Sequence, residues 1–322
     1  MLKLALKHGL KLIKIHKILK FKQAPVLKDY IELNNNKRAA CSSNFEKKFY
    51  KLCNNAIFGK TLENFRNRIN FDLVNNVEKF EKLVAQPNFK EVVYFNENLL
   101  GVHRYKSKMS LKNPNYLGAT ILEISKVIMY KFYYETLKNI FNHIPYELCY
   151  MDTDSFILAV GAHSTDPYFK VNSFYFDFSD YPKNHSLYSI CNKKVPGKFK
   201  DELNGGYMTE FISLAPKVYA YKVHGEREEC TKVKGVLKSI VARELSFNSY
   251  YNCLLNDETV VKNQFIFNVK SHKIRTIRQF KIALSINKKC EKRVYVNHRD
   301  SLAFGHYKLR EEDVVDEEEV EV

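Results

Sequence analysis

Two aspartates separated by one residue, Asp152 and Asp154, are well placed for metal-assisted chemistry. The apolar runs on either side, 147–151 and 155–160, predict a β-hairpin with the acidic pair at its tip. On an extended segment the side chains at i and i+2 point to the same face, so we expect the two carboxylates to lie in one cluster. Carboxylate oxygens are preferred Mg²⁺ ligands, and two such ions catalyse phosphoryl transfer between nucleotides. The pair therefore predicts a two-metal Mg²⁺ site that Mn²⁺ can also occupy.

A second group of functional side chains lies on a predicted helix that begins at Ser42 or Ser43 and runs to about Gly59. Glu46 stands three residues after Ser43, which is the spacing of a capping box, and glycine suits a helix end. At about 100° per residue, one face of this helix carries Lys47, Lys51, Asn55, Phe58 and Gly59. Such a face suits a nucleoside triphosphate, because it offers cations for the phosphates, an amide near the sugar, and a ring and a glycine against a base pair.

Each motif also has a simpler interpretation. Most Asp-x-Asp sequences are solvated turns, and a helix with a lysine edge is often only a solvated surface. A structural nucleic-acid-binding module with a fortuitous acidic pair therefore stays open, and for it Asp152→Asn with Asp154→Asn changes nothing measurable. A two-metal nuclease is a further alternative, but it does not explain the lysine helix.

The surrounding elements predict an α+β fold. Apolar residues recur at helical spacing from residue 117 to residue 132, which predicts a long helix over 116–141 that backs the hairpin. Short β-prone runs over 68–112 predict a small mixed or β insertion. We expect strands over 196–225, and a mixture of helix and strand over 232–310.

Composition indicates a folded, basic, nucleic-acid-binding protein. The 322 residues suffice for two or three domains, and the formal net charge is +16. Eight acids and no base lie in the last twelve residues, 311–322, so the rest of the chain is more basic still. A merely lysine-rich composition is the alternative explanation of the charge. The acidic end is expected to be a solvated tail that keeps a basic protein soluble, with a DNA-mimicking role as the alternative.

Compartment and membrane association follow from cysteines and hydropathy. The seven cysteines are widely spaced without a CxxC pair, which fits a reducing intracellular compartment such as the nucleus, cytoplasm or mitochondrion. No run of eighteen apolar residues occurs, so we expect no membrane partner. The amphipathic residues 1–22 have lysine but no arginine, which favours a basic element of the fold over a targeting presequence or a membrane-surface helix.

Together the motifs resemble those of family B DNA polymerases. The fingers motif of that family, Lys-x-x-x-Asn-Ser-x-Tyr-Gly, is similar to residues 51–59, and its palm motif, Tyr-x-Asp-Thr-Asp-Ser, is similar to residues 150–155. A Lys-x-Tyr motif that contacts the primer strand resembles residues 217–219, and the segments 197–202 and 210–214 resemble intervening palm strands. The amino-acid sequence of residues 45–55 and 58–61 most resembles the protein-primed branch of the family, which is found in phages, adenoviruses, linear plasmids and Maverick-type transposons.

The resemblance implies a polymerase right hand, with an antiparallel palm sheet, helical fingers and a thumb. It implies partial palm and fingers over 1–62, a palm insertion over 63–115, palm over 116–231, thumb over 232–310 and the acidic tail. Its partners are primer-template DNA, deoxynucleoside triphosphates and a terminal priming protein. The implied roles are metal binding for Asp152 and Asp154; triphosphate binding for Lys51 and Lys47; base-pair contact for Asn55, Phe58 and Gly59; and DNA contact for Tyr150, Thr153, Ser155, Lys217 and Tyr219.

Two departures from the family pattern change the expected activity. Ala56 and Phe58 replace the usual Ser and Tyr, which removes two hydroxyls from the fingers face. No Asp followed by a Leu-Tyr-Pro-like run precedes Lys47, so we expect an N-terminally truncated chain without the first catalytic carboxylate and without the exonuclease. Little nucleotide addition is then expected from this chain in isolation. An inactive DNA-binding remnant of a transposon or virus is the alternative function.

Overall fold

The structure is a computed structural model that describes residues 1–110, 112–227, 229–270, 272–286, 293–295, 301–303, 306 and 308–309. The chain divides into two compact units, Met1–Gly205 and Gly206–Val322. Helices mix with several antiparallel sheets, which confirms the predicted α+β class. The predicted boundaries at residues 62, 115 and 231 stay predictions, and the acidic tail 311–322 lies outside the described residues. In the described part of the chain, no helix has the length and apolar character needed to cross a membrane.

The first unit opens with α1 (Leu2–Lys7), α2 (Lys28–Ala40) and α3 (Asn44–Thr61), the predicted lysine helix. The hydroxyl of Ser43 caps α3 by accepting a hydrogen bond from the Phe45 N–H at 3.2 Å. The helix does not end at Gly59, as the sequence predicted, but runs on to Thr61. Residues 10–25 have no regular secondary structure.

A small three-stranded sheet with one helix follows, as predicted for a mixed insertion. Its elements are β1 (Asn70–Val74), α4 (Val77–Val84), β2 (Phe89–Asn96) and β3 (Leu99–Arg104). The strand β3 lies in the middle and pairs antiparallel with both neighbours. A small core of Val74, Leu83 and Val102 holds the helix against the sheet.

One long helical stretch runs through the first unit and confirms the predicted helix. It consists of α5 (Asn115–Lys131), a π-helical segment (Phe132–Leu137) and α6 (Lys138–Phe141). The apolar residues whose spacing predicted this helix are only partly buried, and Ile124 is 54% exposed. The buried residues of α5 are instead Gly118 and Met129. Burial is concentrated in the second half, at Phe132, Leu137, Ile140 and Phe141.

The predicted hairpin packs on that second half. It consists of β4 (Tyr146–Met151) and β5 (Phe156–Val160), paired antiparallel as a two-stranded sheet. Phe156 lies against Phe132 and Tyr133 with ring centroids 6.4 and 5.7 Å away. The core beneath the hairpin joins Phe132, Phe141, Phe176 and their neighbours, so the strands have a rigid apolar base.

Loops and short elements complete the first unit. They include α7 (Asp166–Val171), β6 (Phe176–Asp177) and β7 (Phe199–Lys200), of which the two strands pair in parallel. Three aspartates fix the surrounding loops. Buried Asp177 accepts hydrogen bonds from the N–H groups of Ser179 and Lys194, at 3.0 and 2.9 Å. Asp180 pairs with Lys194 and Lys200, and Asp201 accepts a 2.8 Å bond from the Tyr181 hydroxyl.

The second unit has its own core. Its described elements are β8 (Met208–Ala215), β9 (Val218–Val223), β10 (Cys230–Lys232), α8 (Lys238–Glu244), α9 (Phe247–Asn256), β11 (Val260–Lys270), β12 (Lys273–Leu284), β13 (Arg293–Tyr295) and β14 (Ser301–Ala303). The strands β10, β9 and β8 form one antiparallel sheet in that order. Ala220, Tyr250, Cys253 and Leu284 are fully buried among them.

The strands β11 and β12 form a long two-stranded ribbon with one uncovered apolar face. Pairing of Phe265 with Arg278 and of Phe267 with Thr276 sets which side chains share that face. Its exposed apolar members are Val261, Phe265, Phe267, Val269, Ile274, Phe280 and Ile282. On the other face, at the base of the ribbon, buried Gln264 bonds to Gly235, Leu237 and Gln279 and anchors the ribbon in the core.

Candidate nucleotidyl-transfer site

The tip of the β4–β5 hairpin is a tight turn over Asp152, Thr153, Asp154 and Ser155. The N–H of Asp152 donates to the Ser155 carbonyl and the N–H of Ser155 donates to the Asp152 carbonyl, both at 3.2 Å. Asp154 is exposed and Asp152 half-buried. Two hydroxyls add to this turn, since Thr153 Oγ1 donates to Asp152 Oδ1 at 3.2 Å and Ser155 Oγ donates to the Asp152 carbonyl at 3.3 Å.

The middle of this turn is not extended, which corrects the reasoning from i, i+2 spacing. Thr153 has a φ of 58°, in the left-handed region that β-branched residues rarely adopt. A positive φ at the first central residue alone is typical of a type II′ hairpin turn, where glycine is the usual choice. Both acidic residues lie at the tip because the turn is tight, and Thr153 stores backbone strain there.

The motif residue Tyr150 lies on β4, opposite Ile157, and is half-buried. A register irregularity between Leu148 and Tyr150 interrupts the ladder just before the acidic turn. Bulges of this kind re-aim side chains and increase local twist, and they are frequent beside functional sites.

The residues at the turn suit a hard divalent cation. Mg²⁺ needs hard oxygen donors, retains several waters, and is commonly held by one or two carboxylates together with substrate phosphates. Asp152 and Asp154 supply two such carboxylates from one turn, on either side of Thr153. Within the described ranges no group of three or more His, Cys, Asp or Glu side chains is positioned to hold a metal ion.

The five predicted nucleotide-contacting residues lie along α3. Lys51, Asn55 and Gly59 are exposed, and Lys47 and Phe58 are half-buried. The side of α3 that packs on α2 includes Asn54, which lies about 20° from Lys47 around the helix. Asn34 Nδ2 donates to Asn54 Oδ1 at 2.9 Å and Asn54 Nδ2 donates to Asn35 Oδ1 at 3.0 Å. Asn55 lies about 100° farther round the helix than Asn54 and is exposed, so α2 borders only one edge of the predicted face.

Gly59 of α3 and Gly118 of α5 differ in the space around them. A Cβ on Gly59 would meet no atom within 4 Å, so the packing of the fold does not require glycine there. A Cβ on Gly118 of α5 would lie 2.5 Å from Thr61 Oγ1 and 2.5 Å from Leu62 Cγ. Gly118 is therefore the point where the end of α3 approaches α5 closely, whereas Gly59 keeps an open surface.

Lys217 and Tyr219 belong to the second unit. Pro216 and Lys217 form the two-residue turn between β8 and β9, and Lys217 has a φ of 65°. Pro at the first central position and a positive φ at the second are typical of a type II turn. Tyr219 follows on β9, half-buried, with the ring of Tyr221 at 6.3 Å.

Sequence reasoning missed one group of basic residues in the first unit. Phe65, Arg68, Lys106 and Lys108 line a cavity of about 290 Å³ beside the inserted sheet. The Lys-Ser-Lys spacing of 106–108 is a visible signal in the sequence, but the contribution of Arg68, 38 positions earlier, depends on the fold.

Comparison of the chain with protein-family models, with curated proteins and with solved structures finds no match.

Proposed function

We propose that this chain carries the polymerising elements of a family B DNA polymerase of the protein-primed type. The reaction is template-directed attack of a primer 3′ hydroxyl on the α-phosphate of a deoxynucleoside triphosphate. One observation carries the proposal, which is that a single long helix supports both the lysine helix and the acidic hairpin. In this assignment α3 belongs to helical fingers, the β4–β5 hairpin to the palm, the β1–β3 sheet to a palm insertion, and the second unit contributes further palm strands and a thumb.

The support for that arrangement comes from two contacts of the helix. Gly118, near its start, contacts Thr61 and Leu62 at the end of α3. Phe132 stacks near Phe156 of the hairpin, with ring centroids 6.4 Å apart. These attachment points are 14 residues apart, or about 21 Å along a regular helix. We propose that a nucleotide and a base pair occupy the space between the two motifs.

The acidic turn supplies the charge that the reaction needs. Two divalent cations held by Asp152 and Asp154 would activate the primer 3′ oxygen and stabilise the leaving pyrophosphate. The residues of the chain position those carboxylates. Thr153 bonds to Asp152 and limits its rotation, and the reciprocal bonds between Asp152 and Ser155 hold the turn closed.

The exposed face of α3 is proposed to bind the incoming nucleotide. Lys51, with Lys47 one turn earlier, contacts the triphosphate, because an ammonium group neutralises phosphate charge without a fixed geometry. Asn55 and Phe58 lie towards the sugar and the nascent base pair. The open surface at Gly59 supports this role, since glycine costs a helix about 1 kcal/mol relative to alanine and nothing within the fold requires it there.

In the second unit, Lys217 and Tyr219 are proposed to steady the primer end and the β11–β12 ribbon to contact the duplex product as part of the thumb. The net charge of +16 supports a polyanionic partner. Binding to primer-template DNA should therefore weaken steeply with added salt.

The test uses the full chain and a fluorescently labelled primer-template. Anisotropy should show binding that falls with salt, and the correct deoxynucleotide with Mg²⁺ should tighten the complex more than a mismatched one. The double variant Asp152→Asn with Asp154→Asn should bind DNA normally and lose the nucleotide response. Salt-independent binding, or a nucleotide response unchanged in the double variant, would overturn the proposal. DNA cleavage abolished by the variant would identify a nuclease instead.

A further inference from the structure

The cavity beside the inserted sheet is a separate candidate site that the proposed function does not use. Its volume is about 290 Å³, close to the lower end of the range for small-ligand pockets, roughly 300–1,000 Å³. Three cationic residues, Arg68, Lys106 and Lys108, line it together with Ser107 and Ser110. This combination of cations and hydroxyl donors matches the chemistry of a phosphate group.

Arg68 is held rigidly at the edge of the cavity. Its Nε and Nη2 atoms donate to the two carboxylate oxygens of Glu63, at 2.6 and 2.7 Å. Its guanidinium also lies 4.1 Å from the ring centroid of Phe65. The Glu63 pair does not use Nη1, so an ordered guanidinium keeps donors for a ligand at little conformational cost.

Glu63 does not neutralise the cavity. The Arg68 guanidinium and the Lys60 ammonium hold the pKa of Glu63 at about 2, so the carboxylate is charged throughout the physiological range. Its single negative charge is shared between two cations, since Lys60 Nζ also lies 2.6 Å from Glu63. The group of Lys60, Glu63 and Arg68 therefore keeps a positive charge beside the cavity.

The two lysines add further positive charge. Lys106 is half-buried and Lys108 exposed, and among the residues that the structure describes neither forms an ion pair. Both lysines line the same cavity as Arg68. The local excess of charge favours an anion with more than one negative charge or with several phosphates in sequence.

We propose that this cavity binds the phosphate of a nucleotide unit, as part of a nucleic-acid strand or as a free nucleotide. The Phe65 side of the cavity provides an apolar surface for the rest of that unit. The inference is independent of the acidic hairpin, because none of the residues that line the cavity belongs to the candidate nucleotidyl-transfer site.

The test compares two pairs of lysines in the full chain. Lys106→Ala with Lys108→Ala removes two charges from the cavity, and Lys79→Ala with Lys82→Ala removes two exposed charges from α4 of the same insertion. A labelled single-stranded oligonucleotide of twelve thymidines is the strand probe. The cavity pair should weaken its binding about tenfold and reduce the salt slope by about 1.4, since each phosphate contact on a single strand contributes about 0.7. The α4 pair should change both by much less, and unfolding curves should show that both variants are folded.

A lysine-labelling experiment on the unaltered protein locates the contact. Bound oligonucleotide should protect Lys106 and Lys108 from acetylation, as measured by mass spectrometry, while Lys79 and Lys82 stay reactive. Adenosine monophosphate and pyrophosphate distinguish the source of the phosphate. Protection by these small anions assigns the site to free nucleotides, and protection by the oligonucleotide alone assigns it to a strand. Equal losses in the two variant pairs, or no protection by any of the three ligands, would overturn the proposal.

Discussion

The backbone N–H of Asp154 donates to the carbonyl oxygen of Asp152 over 2.6 Å, and this bond spans Thr153 at a φ of 58°. This short bond lies inside the hairpin turn, at a positive φ that is unfavourable for a β-branched residue. The strain is concentrated at one β-branched residue between the two proposed metal ligands. The position of both carboxylates thus depends on a conformation that glycine adopts more easily than threonine.

Thr153→Gly should therefore stabilise the protein while weakening the site. Release of roughly 1–3 kcal/mol of strain, less about 0.5–1 kcal/mol for the entropy of glycine, gives a net gain of about 1 kcal/mol. Urea unfolding measures this gain. The matched control Thr153→Ala retains a Cβ and the strain, so its stability should not rise. A gain of the same size in both variants would show that the turn is not strained.

Removal of either carboxylate should abolish cation binding at the hairpin. Mn²⁺ binding followed by electron paramagnetic resonance should be weak in the unaltered chain, since two carboxylates leave most positions to water. Asp152→Asn and Asp154→Asn should each lose the bound signal. Glu147→Gln changes an exposed carboxylate on β4 of the same hairpin and should keep it. Loss of the signal in the Glu147 variant as well would contradict a site at the tip.

Gly59→Ala should raise stability and lower nucleotide affinity together. The added methyl meets no atom within 4 Å, so the change gains the helix propensity of alanine, about 1 kcal/mol. The same methyl would intrude on a base pair placed against α3. Thermal unfolding and the nucleotide response of the primer-template complex measure the two effects. Unchanged nucleotide affinity would remove Gly59 from the proposed site.

The same substitution at Gly118 should have the opposite effect on stability. A Cβ there would lie 2.5 Å from Thr61 Oγ1 and from Leu62 Cγ, far inside van der Waals contact, so these side chains or the helices that carry them must shift. Overpacking of this kind costs about 1–3 kcal/mol, which exceeds the helix-propensity gain. Gly118→Ala should thus lower the urea midpoint that Gly59→Ala raises. A higher midpoint for Gly118→Ala would contradict the close approach of the two helices.

Protonation of Asp180 at low pH should lower the stability of the first unit. Its hydrogen bond to Lys200, with help from Lys194, lowers the pKa of Asp180 from 3.8 to about 2. A lowered folded-state pKa means that this stabilisation is present above pH 3.8 and is lost as the pH falls towards 2. Because the side chain is 39% exposed, solvent screening limits the effect to less than about 1 kcal/mol.

The measurement is the urea midpoint as a function of pH. Asp180→Asn should lower the midpoint at neutral pH and flatten its decline between pH 4 and pH 2. Asp154→Asn provides the control, since it removes an exposed carboxylate at a distant turn of the same unit. An identical pH profile for the Asp180 variant and the unaltered chain would exclude this contribution.

The sequence predicts the elements that carry strong local signals. Apolar runs around Asp152 and Asp154 locate the hairpin, and Ser43 marks the start of α3 because its hydroxyl satisfies an N–H that the helix leaves free. The class of the fold follows from the same patterns. These features depend on neighbours in the chain, so they can be derived before any tertiary contact is known.

Other features depend on tertiary packing and cannot be predicted from the sequence. The period of Ile121, Ile124 and Ile128 locates α5 but does not reveal that Gly118 and Met129 are the buried positions. The left-handed conformation of Thr153 has no local signal, since turn rules place glycine there. Arg68 joins Lys106 only because the inserted sheet brings the start of β1 close to the end of β3.

The uncovered apolar face of the β11–β12 ribbon has a practical consequence for work with this protein. Concentrated salt weakens phosphate contacts but strengthens the association of exposed apolar surfaces, most of all with sulfate or phosphate as the anion. A salt titration that releases DNA could then be followed by self-association through Phe265, Phe267 and Phe280. Chloride salts and a mild non-ionic detergent should keep the two effects apart, and light scattering at each salt step would detect the aggregates.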